Sequence, residues 1–255
     1  MRFPIFRSAT RVSTCRTRGT ISNASRRAVL TWLRTRLRQG IRTIRFPDGV
    51  DFPERFRGRP QGSSDLGACL FSPEEGRYSR DYRMATSTRD ALITATGEVE
   101  LARALDQRVQ KLFRRSLRLR SVVAGSCNGC EAELTALGNV VFDLARFGVQ
   151  FVASPRHADG IVVTGAVNRN MRRALELTYE AIPSPKLVIA VGACAISGGP
   201  FAGSPEVGSG VGDVLPVDLW VPGCPPHPLT MLDGLLRLLG AIDRGRSKES
   251  LTKPS

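Results

Sequence analysis

The stretch Val122-Val123-Ala124-Gly125-Ser126-Cys127-Asn128-Gly129-Cys130-Glu131 decides the fold. A short apolar run gives way to small residues, then to two cysteines three positions apart, then to helix-forming residues. The pattern recurs twice downstream. Leu187-Val188-Ile189-Ala190-Val191 precedes Cys194, and Pro216-Val217-Asp218-Leu219-Trp220-Val221 precedes Cys224. Short apolar runs bounded by Gly and Pro read as strands. In an open α/β sheet the carboxyl ends of the strands share one edge, where ligands usually bind. Four thiolates delivered to that edge by three loops could close around one metal centre, and an iron–sulfur cluster is the expectation.

Outward from this stretch, the spacing predicts a strand over Leu119–Ala124. A helix follows from about Glu131 to Phe147, with Leu134, Leu137, Val141 and Leu144 as its apolar stripe. Strands are expected at Val149–Ala153 and Gly160–Thr164, separated by a turn through Pro155. Asn168–Ala181 reads as a helix with Met171, Leu175 and Tyr179 on one side, stopped by Pro183 and Pro185. The strand Lys186–Val191, a glycine-rich loop from Gly198 to Gly212, the strand Val217–Val221 and a helix from about Pro228 to Leu239 complete the unit. Alternating strands and helices imply an α/β fold, a mainly parallel sheet with helices on both faces.

The chain has 255 residues, 42% of them hydrophobic, enough for one substantial core plus extensions. No apolar stretch approaches the roughly 20 residues that span a bilayer, so no transmembrane helix is expected. Six cysteines in a chain of this size do not form a secreted disulfide scaffold, and metal binding in a reducing compartment is the better reading. The net charge of +14 is unevenly placed, with no Asp or Glu from Met1 to Pro47. Such a one-sided segment suggests an anionic partner.

Four regions follow: a basic tail and amphipathic helix (1–47), a connector (48–118), the α/β domain (119–241) and a polar, frayed tail (242–255). Met1–Asn23 has the composition of a mitochondrial transit peptide, but a disordered tail or a mis-assigned start is the plainer reading. From Ser25 to about Arg45, Leu30, Leu33, Leu37, Ile41 and Ile44 recur at helical spacing, with Arg27, Arg34, Arg38, Arg42 and Arg45 between them. Such a helix could lie on an anionic membrane surface, in a partner's groove, or on its own domain with a solvated Arg face. Nucleic acid is disfavoured, because stacking aromatics are not interleaved with the arginines. The connector is punctuated by Pro and Gly, with short strands and a helix expected between Ser72 and Gln107. Cys15 and Cys69 have no obvious partners.

A cubane cluster needs one thiolate per iron with backbone close to its sulfides. Gly125, Ser126, Gly192, Ala193 and Gly223 would allow that approach, and Pro222, Pro225 and Pro226 would stiffen and shield the last loop. A structural zinc site would also use four cysteines, usually as two close pairs. A redox pair would need only Cys127 and Cys130, at a helix N-terminus that lowers a thiol pKa. Of the two histidines, His157 reads as a turn residue. His227, beside Cys224, reads as packing or as a hydrogen-bonding neighbour of the centre.

Three motifs in order carry a family resemblance: Cys-Asn-Gly-Cys-Glu-Ala-Glu-Leu (127–134), Gly-Ala-Cys-Ala-Ile-Ser-Gly-Gly (192–199) and Pro-Gly-Cys-Pro-Pro-His-Pro (222–228). Pro155-Arg156-His157-Ala158-Asp159 and Val163-Thr164-Gly165 match as well. From about Arg120 to Gly240 the chain resembles the small subunit of group 4 membrane-bound [NiFe]-hydrogenases of the formate hydrogenlyase type, homologous to the 20 kDa subunit of respiratory complex I. The resemblance implies a flavodoxin-like domain with a [4Fe–4S] cluster held by Cys127, Cys130, Cys194 and Cys224. It also implies an electron-transfer role beside a catalytic large subunit, with ferredoxin-like and membrane subunits in the same complex. The expected location is the cytoplasmic face of the inner membrane, held peripherally, or the matrix side if the N-terminus is a transit peptide.

The complex I subunit has two adjacent cysteines where this chain has Cys-x-x-Cys, which favours the hydrogenase branch. The alternatives are a complex I-type subunit at a quinone site and, from another class, a zinc-binding or nucleic-acid-binding module. The family prompts a proton-relay or tuning role for Glu131 or Glu133; the plainer reading is stabilisation of a helix N-terminus. Phe56-Arg57-Gly58-Arg59-Pro60 looks like the opening of two-cluster ferredoxin subunits. Only Cys69 follows before Cys127, so the connector would hold a degenerate ferredoxin-like remnant that binds no cluster.

Overall fold

The structure is a computed structural model and describes residues 23–50, 52–68, 78–113 and 116–242. The chain divides into two units, Met1–Arg42 and Thr43–Ser255. In the first, the described part is helix α1 (Asn23–Gln39), shorter than the pattern suggested because it stops before Gly40. Ile41 lies beyond it, and Ile44 packs against the core of the second unit, where its N–H donates to the Val141 carbonyl. The arginine-flanked stripe is therefore Leu30, Leu33 and Leu37. No described helix is long and apolar enough to cross a membrane.

The second unit is built on five parallel strands: β3 (Leu117–Val123), β4 (Val149–Phe151), β5 (Gly160–Thr164), β6 (Leu187–Val191) and β7 (Leu219–Val221). They lie in the order β4-β3-β5-β6-β7, the flavodoxin-like 2-1-3-4-5 arrangement. Every residue of β5 and β6 is buried, as their largely apolar sequences require of central parallel strands. Two apolar clusters cover the two faces. One contains Leu119, Val162, Ile189 and Leu232, the other Ile161, Val163, Val188 and Leu175.

Helix α4 (Arg169–Glu180) matches its expected span. Asn168 caps it by accepting from the Met171 N–H at 2.8 Å, and Leu175 is its buried contact. Helix α3 departs from expectation, running only over Gly129–Ala136. The chain then turns: the Asn139 side chain accepts from the N–H groups of Val141 and Phe142, and Asp143 adopts a left-handed conformation. A single helical turn over Leu144–Phe147 returns the chain to β4. Leu137 and Leu144 are still buried, so the apolar repeat was correct about burial but not about continuous helix. Local side-chain bonds to backbone offered a competing path.

The described residues between 43 and 113 wrap this sheet. They contain the short antiparallel pair β1 (Ser64–Asp65) and β2 (Ile93–Thr94), and helix α2 (Gln107–Phe113). Thr86 exchanges both backbone hydrogen bonds with Trp220, at 3.0 and 2.9 Å, and so covers the free edge of β7. The last helix, α6 (Pro228–Leu238), is buried along its whole length. A Cβ added at Gly234 would lie 2.6 Å from the Ala85 side chain and 3.4 Å from Leu219, so α6 is held between the wrapping segment and β7. Asp233 and Arg237, both almost fully buried on α6, pair at 2.7 and 3.1 Å. Burial pushes the Asp233 carboxyl up, and the Arg237 guanidinium opposes it.

Candidate metal centre

The carboxyl ends of β3, β6 and β7 meet at one edge, and each leads into a cysteine. After β3 the loop carries Cys127 and enters α3 with Cys130 in its first turn, where Asn128 takes a left-handed conformation. After β6, Gly192 leads straight into the short helix α5 (Ala193–Ser197) with Cys194. After β7 comes Pro222-Gly223-Cys224. Parallel register puts all three exits at the same end: Val123 pairs with Thr164, Thr164 with Val191, and Val191 with Val221.

The four thiols differ in exposure: Cys127 is exposed, Cys224 intermediate, and Cys130 and Cys194 buried. Burial pushes the Cys130 thiol up to about 12, with further contributions from Glu131, Cys194, Cys224 and Cys127. Cys194 is raised as well, first by burial and then by Cys224 and Cys127. Cys130 thus feels the other three cysteines, and Cys194 feels Cys224 and Cys127. Two glycines keep the space around the sulfurs open. A Cβ at Gly192 would lie 2.5 Å from Cys130 Sγ, and one at Gly199 would lie 2.8 Å from Cys194 Sγ. Both adopt left-handed backbone, at φ +89° and +55°.

Among the described residues, no three His, Cys, Asp or Glu side chains converge closely enough to hold a single metal ion. A donor set of four thiols from three strand ends, with glycine in place of side chains beside two of the sulfurs, fits an iron–sulfur cubane. That body takes one thiolate per iron.

The neighbouring polar groups have separate surroundings. Ser126 Oγ donates to Glu131 Oε2 at 2.8 Å and accepts from the Asn128 N–H, tying Glu131 to the Cys127 loop. The other Glu131 oxygen is buried without a hydrogen-bond partner. Glu133 instead faces a cleft of about 510 Å³ shared with Phe56, Arg57, Tyr78, Cys224 and Thr230, and burial raises its carboxyl. His157 lies in the turn before β5, at the opposite edge of the sheet, with an exposed side chain. Cys15 and Cys69 lie outside the described residues.

His227 caps α6 by accepting from the Leu229 N–H through Nδ1 at 3.2 Å. Its ring is met edge-on by Phe52, Phe56 and Phe142 at 5.9, 5.2 and 6.0 Å between centroids. Burial lowers its pKa, favouring the neutral ring that can accept this bond. Sequence reasoning missed this clamp. The Phe52–Phe56 spacing was visible, but nothing along the chain said what the two rings touch.

The fold is an α/β domain with four cysteines at the carboxyl edge of a flavodoxin-like sheet. Residues 127–238 match the family described as NADH ubiquinone oxidoreductase, 20 Kd subunit. The chain is 43% identical over 138 residues to a probable membrane-bound hydrogenase subunit, mbhJ, of Pyrococcus furiosus, covering 53% of this chain and 83% of that one. It is 42% identical to formate hydrogenlyase subunit 7 of Escherichia coli, covering 52% of each chain. It is 49% identical over 114 residues to an NADH-quinone oxidoreductase subunit of Heliobacterium modesticaldum, covering 44% of this chain and 65% of that one. The chain belongs to the 20 kDa subunit family, and these three relatives are subunits of oxidoreductase complexes.

Proposed function

We propose that this chain is an electron-transfer subunit that holds one [4Fe–4S] cluster on Cys127, Cys130, Cys194 and Cys224 and exchanges electrons with a catalytic large subunit. The observation that carries the reading is the meeting of four thiols from three strand ends, with Gly192 and Gly199 leaving room beside two of the sulfurs. Bound there, such a cluster supplies reversible one-electron transfer. The chain's own residues exclude water around Cys130 and Cys194, present Cys127 at the surface, and stiffen the Cys224 loop with Pro222, Pro225 and Pro226. An exposed thiol edge gives a partner's redox group a short approach. The expected partners are the large subunit and the ferredoxin-like and membrane subunits of the same complex, and the place is the inner membrane's cytoplasmic face.

Glu133, facing the cleft beside Cys224, is the better placed of the two relay candidates. Glu131 is engaged with Ser126 in the Cys127 loop. Cys-x-x-Cys in place of two adjacent cysteines favours the hydrogenase branch over a quinone-reducing partner. Anaerobic purification with iron and sulfide quantification tests the proposal: about four of each per chain are expected, with an EPR signal after dithionite reduction. One zinc and no sulfide would overturn it.

A further inference from the structure

We infer that α1 is an interfacial anchor that lays this chain on an anionic lipid bilayer. The inference does not depend on the cluster. At 3.6 residues per turn, Val29, Leu30, Leu33 and Leu37 fall within an arc of about 100°. All four are exposed, Leu37 at 81% and Leu30 at 62%. Arg34 borders the arc on one side and Arg36 on the other, and both are exposed. Trp32, 62% exposed, lies just beyond Arg36. The nearest acidic residue in the chain is Asp48, so no carboxylate on the helix competes for these arginines.

This pattern selects a bilayer among anionic partners. Leucines entering the acyl boundary leave the flanking arginine stems lying along apolar surface, with their guanidinium groups at lipid phosphates. Tryptophan favours the same depth, where its ring is buried and its N–H is wet. A polyanion without an apolar phase, such as nucleic acid, would satisfy the arginines and leave four large apolar side chains in water.

Full-length chain is mixed with vesicles of phosphatidylglycerol and phosphatidylcholine in equal parts, or of phosphatidylcholine alone, and sedimented. The second tryptophan, Trp220, is buried, so Trp220→Phe leaves Trp32 as the fluorescent reporter. At least tenfold tighter binding to the anionic vesicles is expected, weakened by salt, with a blue shift of Trp32 emission. Leu33→Glu with Leu37→Glu should lose at least tenfold in binding while far-ultraviolet circular dichroism keeps the signature of the α/β domain. Because both side chains are exposed, misfolding of the core is not expected. Three results would overturn the inference: no binding to anionic vesicles at low salt, unshifted Trp32 emission on binding, or unchanged binding by the double variant. Vesicle binding that survives the substitutions while co-purification with a large subunit is lost would assign the face to that protein instead.

Discussion

The cysteine-bearing half of the second unit and the segment that wraps it make a sharp contrast. In residues 117–242 each chemical group follows a strand of buried apolar residues and is announced by Gly, Pro and Cys in a fixed order. Among the described residues of 43–113 the strands are two residues long, the sequence has little periodicity, and yet the segment closes the β7 edge, covers α6 and clamps His227. One region carries the four cysteines. The other supplies walls for it, and walls leave little trace in a linear pattern because they need only shape and apolar surface.

The largest effect should come from the first region. Cys194→Ser or Cys224→Ser is nearly isosteric, and iron, sulfide and the EPR signal should all fall to background while the thermal unfolding transition of the cluster-free protein stays close to that of the parent. A variant that keeps its full cluster would break the assignment of four ligands. Next is the buried pair that faces the wrapping segment. Arg237→Ala should destabilise the fold by roughly 3–5 kcal/mol in urea titration, because it strands the Asp233 carboxylate in a buried site. Replacing both, with Asp233→Leu and Arg237→Met, should recover most of that loss; an equally unstable double variant would show that the pair matters for more than mutual neutralisation.

The contrast itself is tested by Phe56→Ala. Removal of this half-buried ring, which stacks on Phe52 at 4.1 Å and meets His227, should cost about 1–3 kcal/mol. Iron content should stay full while the reduced-cluster EPR line shape or midpoint potential shifts. Unchanged spectra would separate the wrapping segment from the centre altogether. The smallest effect concerns Asp218, whose carboxyl is raised by burial although it accepts from the Val188 N–H at 2.8 Å. With a folded-state pKa above the unfolded one, its contribution to stability is fully present below the unfolded value and fades as pH rises through the folded value. Asp218→Asn keeps an oxygen acceptor and should therefore be slightly stabilising at pH 7, with the gain vanishing toward pH 3. A gain that grows on acidification would refute the sign.

Much of this was readable beforehand for a physical reason. A parallel strand covered on both faces must be largely apolar, so β5 and β6 could be read from composition, and Asn168 and Pro183 bracketed α4 by the bonds they make or prevent. Helix α3 was overextended because Leu137 and Leu144 fit a helical repeat, whereas the backbone between them turns on Asn139 and Asp143. The N-terminal helix was overextended for the same reason, since Ile41 and Ile44 continue the spacing past Gly40.

By itself, the sequence determined that strands end in cysteines and that the acid-free N-terminus carries an arginine-flanked helix. Both are local patterns, set by neighbours within a few positions. Only the tertiary structure decided that Cys130, Cys194 and Cys224 share one electrostatic environment. It also decided that Gly192 and Gly199 must be glycine because sulfur lies where a Cβ would be, and that Phe52 and Phe56 meet His227. Those facts join residues up to 175 positions apart, as Phe52 and His227 are, and a distance across a fold is fixed by the packing of the whole core rather than by any stretch of chain.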